Sequence, residues 1–174
     1  MGKLMAILLV GCGLIGGAAM YYLQVYAYYD TVDPADVALP AVRVADGAAE
    51  PLPVSAVEAI DATSSPIRFR ACFETGYSLA TMTETYTVYE DATPLVAPGW
   101  FDCFDAEAIG DALDAGEAVA FLSIPNVEYG IDRVIAAYDD GRAFAWQQIN
   151  DCGTAFYDGN PLPFDCPMPP ERTE

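Results

Sequence analysis

The residues that could do chemistry in this 174-residue chain are carboxylates, arginines and cysteines, because histidine is absent and the one lysine, Lys3, precedes a long apolar segment. Without histidine there is no Ser-His-Asp or Cys-His nucleophile, no histidine-ligated zinc and no histidine-ligated haem. No lysine follows the apolar segment to form a Schiff base or a Ser-Lys pair. The CxxC, GxxxxGK[ST] and GxGxxG motifs are also missing. We therefore expect a chain that is not an enzyme and binds no cofactor.

Acidic side chains dominate the charge, with 26 Asp and Glu against seven Lys and Arg. Glu107, Asp111 and Asp114 follow one another at spacings of four and three, which places them on one face of a helix. No DxDxDG ladder of a calcium loop occurs. We interpret the acids as a solvated surface, with a weak calcium site as the alternative. A charge of this sign argues against nucleic acid as a partner.

Two arginines, Arg68 and Arg70, lie two residues apart and so share one face of a predicted strand, Ile67–Glu74. Together they could form a fork for a carboxylate or phosphate. Because acids are in large excess, we favour a structural role in which both arginines form ion pairs across the sheet.

Four of the five cysteines lie outside the apolar segment, and an even number of this kind predicts two disulfides in an oxidising compartment. Three connectivities are open. We favour Cys72–Cys103 with Cys152–Cys166, because each pair closes a loop beside a predicted strand end. The fifth cysteine, Cys12, lies inside the apolar segment.

The apolar segment, Leu4–Leu23, has 20 residues without an ionisable or amide side chain. As a helix it matches a hydrocarbon core of ~30 Å. Five tyrosines then form the aromatic belt expected at a membrane interface: Tyr21, Tyr22, Tyr26, Tyr28 and Tyr29. Residues 1–29 therefore predict a transmembrane anchor. Lys3 and the free N-terminus place its start in the cytoplasm by the positive-inside rule, with the acidic domain outside.

Two other interpretations of the N-terminus stay open. Leu9–Cys12 resembles a lipobox, in which Cys12 would carry lipid, although the apolar stretch between Lys3 and Gly11 is short for a signal peptide. Cleavage after Ala27 is the other, with bulky tyrosines crowding the site. We favour an uncleaved anchor because of the length of the span.

Within the anchor, Gly13 and Gly17 form a GxxxG motif. Small residues at this spacing let a second helix approach closely, so they predict a helix-packing face. The alternative is that glycine is simply frequent in membrane helices.

Residues 30–66 carry five prolines and no helical period, which predicts a linker with a short strand and turn at Val42–Gly47. After the strand Ile67–Glu74, the Thr- and Tyr-rich stretch Leu79–Tyr89 predicts a second strand. The elements predicted between Val42 and Tyr89 are therefore all strands.

The following segment predicts a helix over Ala106–Ala115, capped by Asp105 and stopped by Gly116. Ala118–Ile124 is a nearly continuous apolar run, which predicts a strand covered on both faces.

The last predicted element is a hairpin of Ile131–Tyr138 and Ala143–Ile149 with a two-residue Asp-Gly turn. That turn sets Asp139 opposite Arg142 and Ile135 opposite Trp146. Residues 160–174 are proline-rich and predict an extended tail held by Cys166.

The elements sum to an α+β fold: an N-terminal transmembrane helix, then a mostly antiparallel sheet domain with one packed helix, stapled by disulfides. The predicted organisation is an anchor at 1–29, a linker at 30–66, the α+β domain at 67–159 and a tail at 160–174.

Five segments carry a resemblance that spans most of the chain: MGKLMAILL, AAMYYLQVYAYY, SSPIRFRACF, PGWFDCFDA and GRAFAWQQINDCG. As a set they resemble a family of single-pass envelope proteins from alphaproteobacteria that has no established activity. The resemblance implies the bacterial inner membrane with a periplasmic domain, and it supplies no catalytic residue.

For function, we expect a non-enzymatic accessory subunit anchored beside a larger inner-membrane partner, in a respiratory or electron-transfer complex. Its acidic domain would dock on a basic periplasmic protein. The alternatives are a small-ligand or calcium-binding domain, or a lipoprotein lipidated at Cys12.

Overall fold

The computed structural model describes residues 2–170, and it begins with a single long helix, α1 (Gly2–Tyr22), that continues as a π-helical turn over Leu23–Ala27. The span Gly2–Ala27 has a mean hydropathy of 2.1 and is long and apolar enough to cross a membrane. No residue of α1 is buried against the rest of the described chain. An apolar rod of this length left uncovered fits the predicted anchor in length and composition.

Residues 30–170 contain eight strands, three further α-helices and a short 3₁₀ helix, Pro34–Asp36. The strands are, in chain order, β1 (Asp30–Val32), β2 (Pro40–Val42), β3 (Ala49–Pro51), β4 (Val54–Asp61), β5 (Arg70–Thr75), β6 (Ala118–Glu128), β7 (Ile131–Tyr138) and β8 (Arg142–Ile149). Six of them form one antiparallel sheet in the order β1-β4-β5-β8-β7-β6, and β2 pairs with β3 separately. The helices are α2 (Leu79–Thr85), α3 (Ala106–Ala115) and α4 (Asp151–Asp158).

Each of these helices begins at a polar cap: Ser78, Asp105 or Asn150 accepts a backbone N–H of the first turn. The helices α3 and α4 end at Gly116 and Gly159, both left-handed, the conformation that favours glycine. The predicted bounds of α3 are confirmed. The α+β class is confirmed as well, with three helices in the domain where the sequence predicted one.

The large sheet is covered on both faces. Along β7, Val134 and Ala136 belong to one hydrophobic cluster, whereas Ile135 and Ala137 belong to the other. One cluster gathers α2 and the β2–β3 region, and the second gathers α3 and the segment before it. The run Ala118–Ile124 that begins β6 is buried or half-buried at every residue, as predicted for a strand covered on both faces.

The predicted linker over 30–66 is wrong. This range supplies β1 and β4 of the main sheet, and it buries Leu39 and Leu52 in the core. Three of its strands, β1, β2 and β3, have only three residues each, and the eight-residue β4 shifts register between Ser55 and Glu58. A shift of this kind breaks the alternation that identifies a strand in sequence.

The predicted strand over Leu79–Tyr89 is also wrong, because its first seven residues form α2. The Ser78 hydroxyl accepts the Thr81 N–H, and Met82 is fully buried against the sheet. Capping and burial here outweigh the strand preference of threonine and tyrosine. Only Tyr86 and Val88 make isolated bridges to neighbouring segments.

The final hairpin has a three-residue loop, Asp139 to Gly141, in place of the predicted two-residue turn. Ala137 pairs with Ala143, so Val134 and not Ile135 lies opposite Trp146. Gly141 has φ +91° and its N–H donates to the Tyr138 carbonyl. This geometry is that of a common three-residue hairpin loop, in which a turn is followed by a glycine in the left-handed conformation. Residues 160–170 contain no helix or strand, whereas the rest of the predicted tail, 171–174, lies outside the described residues.

Candidate functional site

Both predicted disulfides form. Cys72 of β5 bonds to Cys103, which lies just before α3, and Cys152 of α4 bonds to Cys166 in the tail. The first bond fixes the segment before α3 to the sheet, and the second fixes the tail to α4. Cys12 is unpaired and exposed on α1.

Arg70 has a structural role that differs from the predicted ion pair. Its side chain is 3 % exposed, and it donates four hydrogen bonds to backbone carbonyls: Leu95, Ile67, Phe69 and Val96, at 2.7, 2.8, 2.7 and 3.2 Å. No acid pairs with it among residues 2–170. Burial lowers the pKa of its guanidinium to about 10. The ion pair and the anion fork predicted for Arg70 are therefore both wrong, and its bonds instead hold the segment around Leu95.

Arg68 also lacks the predicted acidic partner, and its guanidinium lies 5.3 Å from the ring centroid of Tyr29. Tyr29 packs edge-on against Trp100 at 6.4 Å. The indole Nε1 of Trp100 donates to the Val25 carbonyl at 2.7 Å. We call these four residues, Val25, Tyr29, Arg68 and Trp100, the helix–domain junction, because they join the end of the apolar helix to the domain.

A groove of about 740 Å³ lies between residues 88–95, the end of β8 and the start of α4. Four exposed carboxylates line it: Glu90, Asp91, Asp151 and Asp165. We call it the acidic groove. Its negative charge suits a cationic side chain or ligand.

Beneath the acidic groove lies a buried carboxylate, Asp132, which is 7 % exposed. Its Oδ2 accepts the Tyr89 hydroxyl at 3.2 Å and the Asn150 amide at 2.9 Å, and its Oδ1 accepts the Asn126 N–H at 2.8 Å. Burial and the nearby Asp132 raise the pKa of Tyr89 above its ordinary value of 10.0. All three donors belong to the protein itself, so the buried carboxyl group of Asp132 has the hydrogen-bond partners that burial requires.

Gln148 fixes the wall of the groove to the core. Its Oε1 accepts the Thr93 N–H at 2.8 Å and the Trp146 indole N–H at 2.9 Å, and its Nε2 donates to the Asp91 carbonyl at 2.8 Å. Because Gln148 is 7 % exposed and Trp146 is fully buried, the acid-bearing segment is held in one position.

Little of the negative charge is neutralised inside the protein. Within residues 2–170 only three carboxylates form ion pairs, Asp46 and Glu50 with Arg43 and Asp140 with Arg142. Arg133 is instead occupied by the Ala38 carbonyl and the face of the Phe69 ring, 3.8 Å away. The rest of the described acids, including those of the groove, form no ion pair with a described arginine or lysine.

The predicted acidic face on α3 forms: Glu107, Asp111 and Asp114 are all exposed. Across residues 2–170, no group of three or more acidic or cysteine side chains has the arrangement of a metal site. The groove network of Tyr89, Asp132 and Gln148 was missed, because these residues are far apart in sequence. The available signal was the adjacent charged pair Asp132 and Arg133 inside an otherwise apolar run.

The predicted packing motif of Gly13 and Gly17 lies on the uncovered part of α1. No described atom outside the helix lies within 4 Å of a Cβ built at either glycine. A second helix at this face stays a prediction.

Comparison with known proteins gives a family but no activity. The model of a family of unknown function (DUF6446) matches residues 39–167, which extend from the end of the β1–β2 connection to the second disulfide. No curated protein and no solved structure matches the chain. The apolar helix lies before the matched region.

Proposed function

We infer that this chain, which belongs to the family of unknown function DUF6446, is a membrane-anchored interaction protein that docks a basic partner in its acidic groove. The observation that carries the proposal is the set of exposed groove carboxylates that form no ion pair with any arginine of residues 2–170. Preorganised charge of one sign attracts and orients a partner of the other sign.

The anchor is α1 with its π-helical end. Its apolar length and its lack of any covering element support insertion in a bilayer. Lys3 at its start supports a cytoplasmic N-terminus, and the two disulfides support a periplasmic domain. A bacterial inner membrane satisfies all three conditions.

The partner in this proposal is a protein with exposed lysines or arginines, within or beside a larger inner-membrane complex. A respiratory or electron-transfer assembly suits the proposal, because soluble electron carriers dock through complementary charge. The protein itself holds the partner without catalysis, since it lacks histidine and has no lysine beyond Lys3.

The groove also favours a second candidate, the binding of a small cationic ligand beside its four carboxylates. Calcium stays an alternative only as a weak site that uses fewer than three of them, because no three acids of residues 2–170 have the arrangement of a metal site. Calcium at one hundred times its Kd would stabilise the fold by about 2.7 kcal/mol, a rise of several degrees in Tm. No shift in Tm at millimolar calcium would remove the calcium version.

The proposed function is tested by co-purification in mild detergent of the full chain carrying a C-terminal tag at native expression level. We expect a basic partner protein to be recovered with it, and its recovery to fall as ionic strength rises. Recovery of the chain alone would contradict the proposal.

A matched pair of variants separates the groove from general charge. The groove variant is Glu90→Gln, Asp91→Asn, Asp151→Asn, and the control is Glu107→Gln, Asp111→Asn, Asp114→Asn on α3. Both remove three exposed charges. The groove variant should lose the partner while the control keeps it, and equal losses would show that docking does not use the groove.

A further inference from the structure

The segment Pro94–Trp100, with the sequence PLVAPGW, is an uncharged loop between Asp91 and Asp102. Leu95, Ala97 and Trp100 are half-buried against a hydrophobic cluster of the core, whereas Val96 between them is 79 % exposed. A single exposed valine does not by itself mark a contact surface, so a partner for the loop has to be argued from the position of the loop.

The position of the loop identifies that partner. Trp100 closes the loop, and its indole donates to the carbonyl of Val25, two residues beyond the end of the apolar run. The loop therefore lies at the level where the helix leaves the hydrocarbon, the depth at which tryptophan is enriched. We propose that the loop Pro94–Trp100 rests in the lipid interface beside α1, as a second contact with the bilayer. This proposal rests on the membrane anchorage inferred above.

Several backbone carbonyls of the loop already have hydrogen-bond donors within the protein. This suits a region poor in water, where an unpaired carbonyl costs free energy. Arg70 donates to the carbonyls of Leu95 and Val96, and the Phe101 N–H donates to the carbonyl of Pro98 at 2.9 Å. Pro94 and Pro98 have no N–H that needs a partner. The buried arginine, which no acid pairs with, thus acts as a positioning residue for the lipid-facing loop.

The geometry of the junction limits how far the domain can leave the membrane. The Tyr29 ring packs edge-on against the Trp100 ring, and the Arg68 guanidinium lies over the face of Tyr29. Arg68 is half-buried and has no acidic partner among residues 2–170, so its guanidinium N–H groups suit a lipid phosphate at this depth. The loop and the helix end would together hold the domain in one orientation against the bilayer.

The test measures the depth of a nitroxide label in the full chain, reconstituted in vesicles of phosphatidylethanolamine and phosphatidylglycerol. In a Cys12→Ser background, labels are placed at Val96→Cys in the loop and, as the control, at Asp114→Cys on the exposed face of α3. The remaining cysteines are in disulfides and take no label. Collision rates with oxygen and with a water-soluble nickel chelate report whether each label contacts lipid or water.

We expect the Val96 label to collide mainly with oxygen and the Asp114 label mainly with the nickel chelate. Equal nickel accessibility at both sites, in protein that resists alkaline extraction from the vesicles, would overturn the loop contact and leave the anchor intact. Release of the whole chain by alkaline extraction would overturn the anchorage itself, and the loop contact with it. A thermal unfolding curve like that of the unlabelled protein verifies that each variant is folded.

Discussion

The indole Nε1 of Trp100 donates a 2.7 Å hydrogen bond to the carbonyl of Val25, which precedes it by 75 residues in the chain. The domain is therefore held to the end of the helix by a side chain as well as by the covalent backbone. The proposed docking depends on a fixed orientation of the acidic groove above a membrane. A second link between helix and domain, such as this hydrogen bond, is needed to fix that orientation.

Replacing Trp100 with phenylalanine should loosen this link. The ring contact with Tyr29 can persist, but the donor to Val25 is lost, at about 1 kcal/mol, which makes opening about fivefold more frequent. We expect chymotrypsin to cleave the Tyr26–Tyr29 stretch correspondingly faster in lipid nanodiscs. As a control, Phe164→Ala removes a fully exposed ring of the tail and should leave that rate unchanged. Identical rates for Trp100→Phe and wild type would contradict the account.

A second prediction concerns Gly130 and Gly153, whose backbones pack directly on each other. A Cβ at Gly153 would clash with the Gly130 carbonyl, and Gly130 has φ +75°. Gly153→Ala should lower the free energy of unfolding by about 1–3 kcal/mol in urea. Gly110→Ala is the matched control: space is open around it in α3, so it should raise stability by about 0.5–1 kcal/mol. A neutral Gly153→Ala would show that the contact is loose.

The two disulfides should differ in their effect. Cys72→Ala with Cys103→Ala opens a loop with a separation of 31 residues and should cost about 3–4 kcal/mol in the chain-entropy model. Cys152→Ala with Cys166→Ala opens one of 14 and should cost about 3 kcal/mol. Cys72 is also buried, so its replacement removes core contacts. Urea unfolding of both double variants checks the order, and a larger loss from the second pair would contradict it.

Alkaline pH should weaken the fold partly through Tyr89. Its pKa is raised in the folded state by burial and by Asp132, so the folded protein keeps this proton after the unfolded chain has lost it. The associated stability is fully present below pH 10 and decreases as pH rises further. Tyr89→Phe removes the titrating group, so the stability difference between wild type and variant should shrink from pH 9 to pH 11. A difference independent of pH in urea unfolding would rule out this role for Tyr89.

Elements with local signals were predictable from the sequence. Both ends of α3 are marked by the residues that flank it, because Asp105 caps its start and Gly116 ends it. The long apolar helix and the formation of two disulfides could be predicted from composition and spacing alone. The pairing of Cys72 with Cys103 followed from its place beside a strand.

Features that depend on tertiary contacts were not predictable in this way. The strands of residues 30–66 are short edge or irregular pieces that gain stability only from β5 and its neighbours. The helix α2 forms in a strand-like stretch because burial of Met82 decides its conformation. Acidic partners were predicted for Arg70 because the chain has a large excess of acids. In the structure its guanidinium donates instead to backbone carbonyls 25 and 26 residues away, which no count of charges reveals.

The central claim is an uncleaved helix that tethers an oxidised, acidic domain outside the inner membrane. The most direct measurement is a protease treatment of spheroplasts, followed by alkaline washing of the membranes and mass analysis of the chain. The account predicts an intact N-terminus retained in washed membranes and a domain that is digested from outside. A mature chain that starts at Cys12 or Tyr28, or a domain that protease reaches only after the membrane is broken, would contradict it.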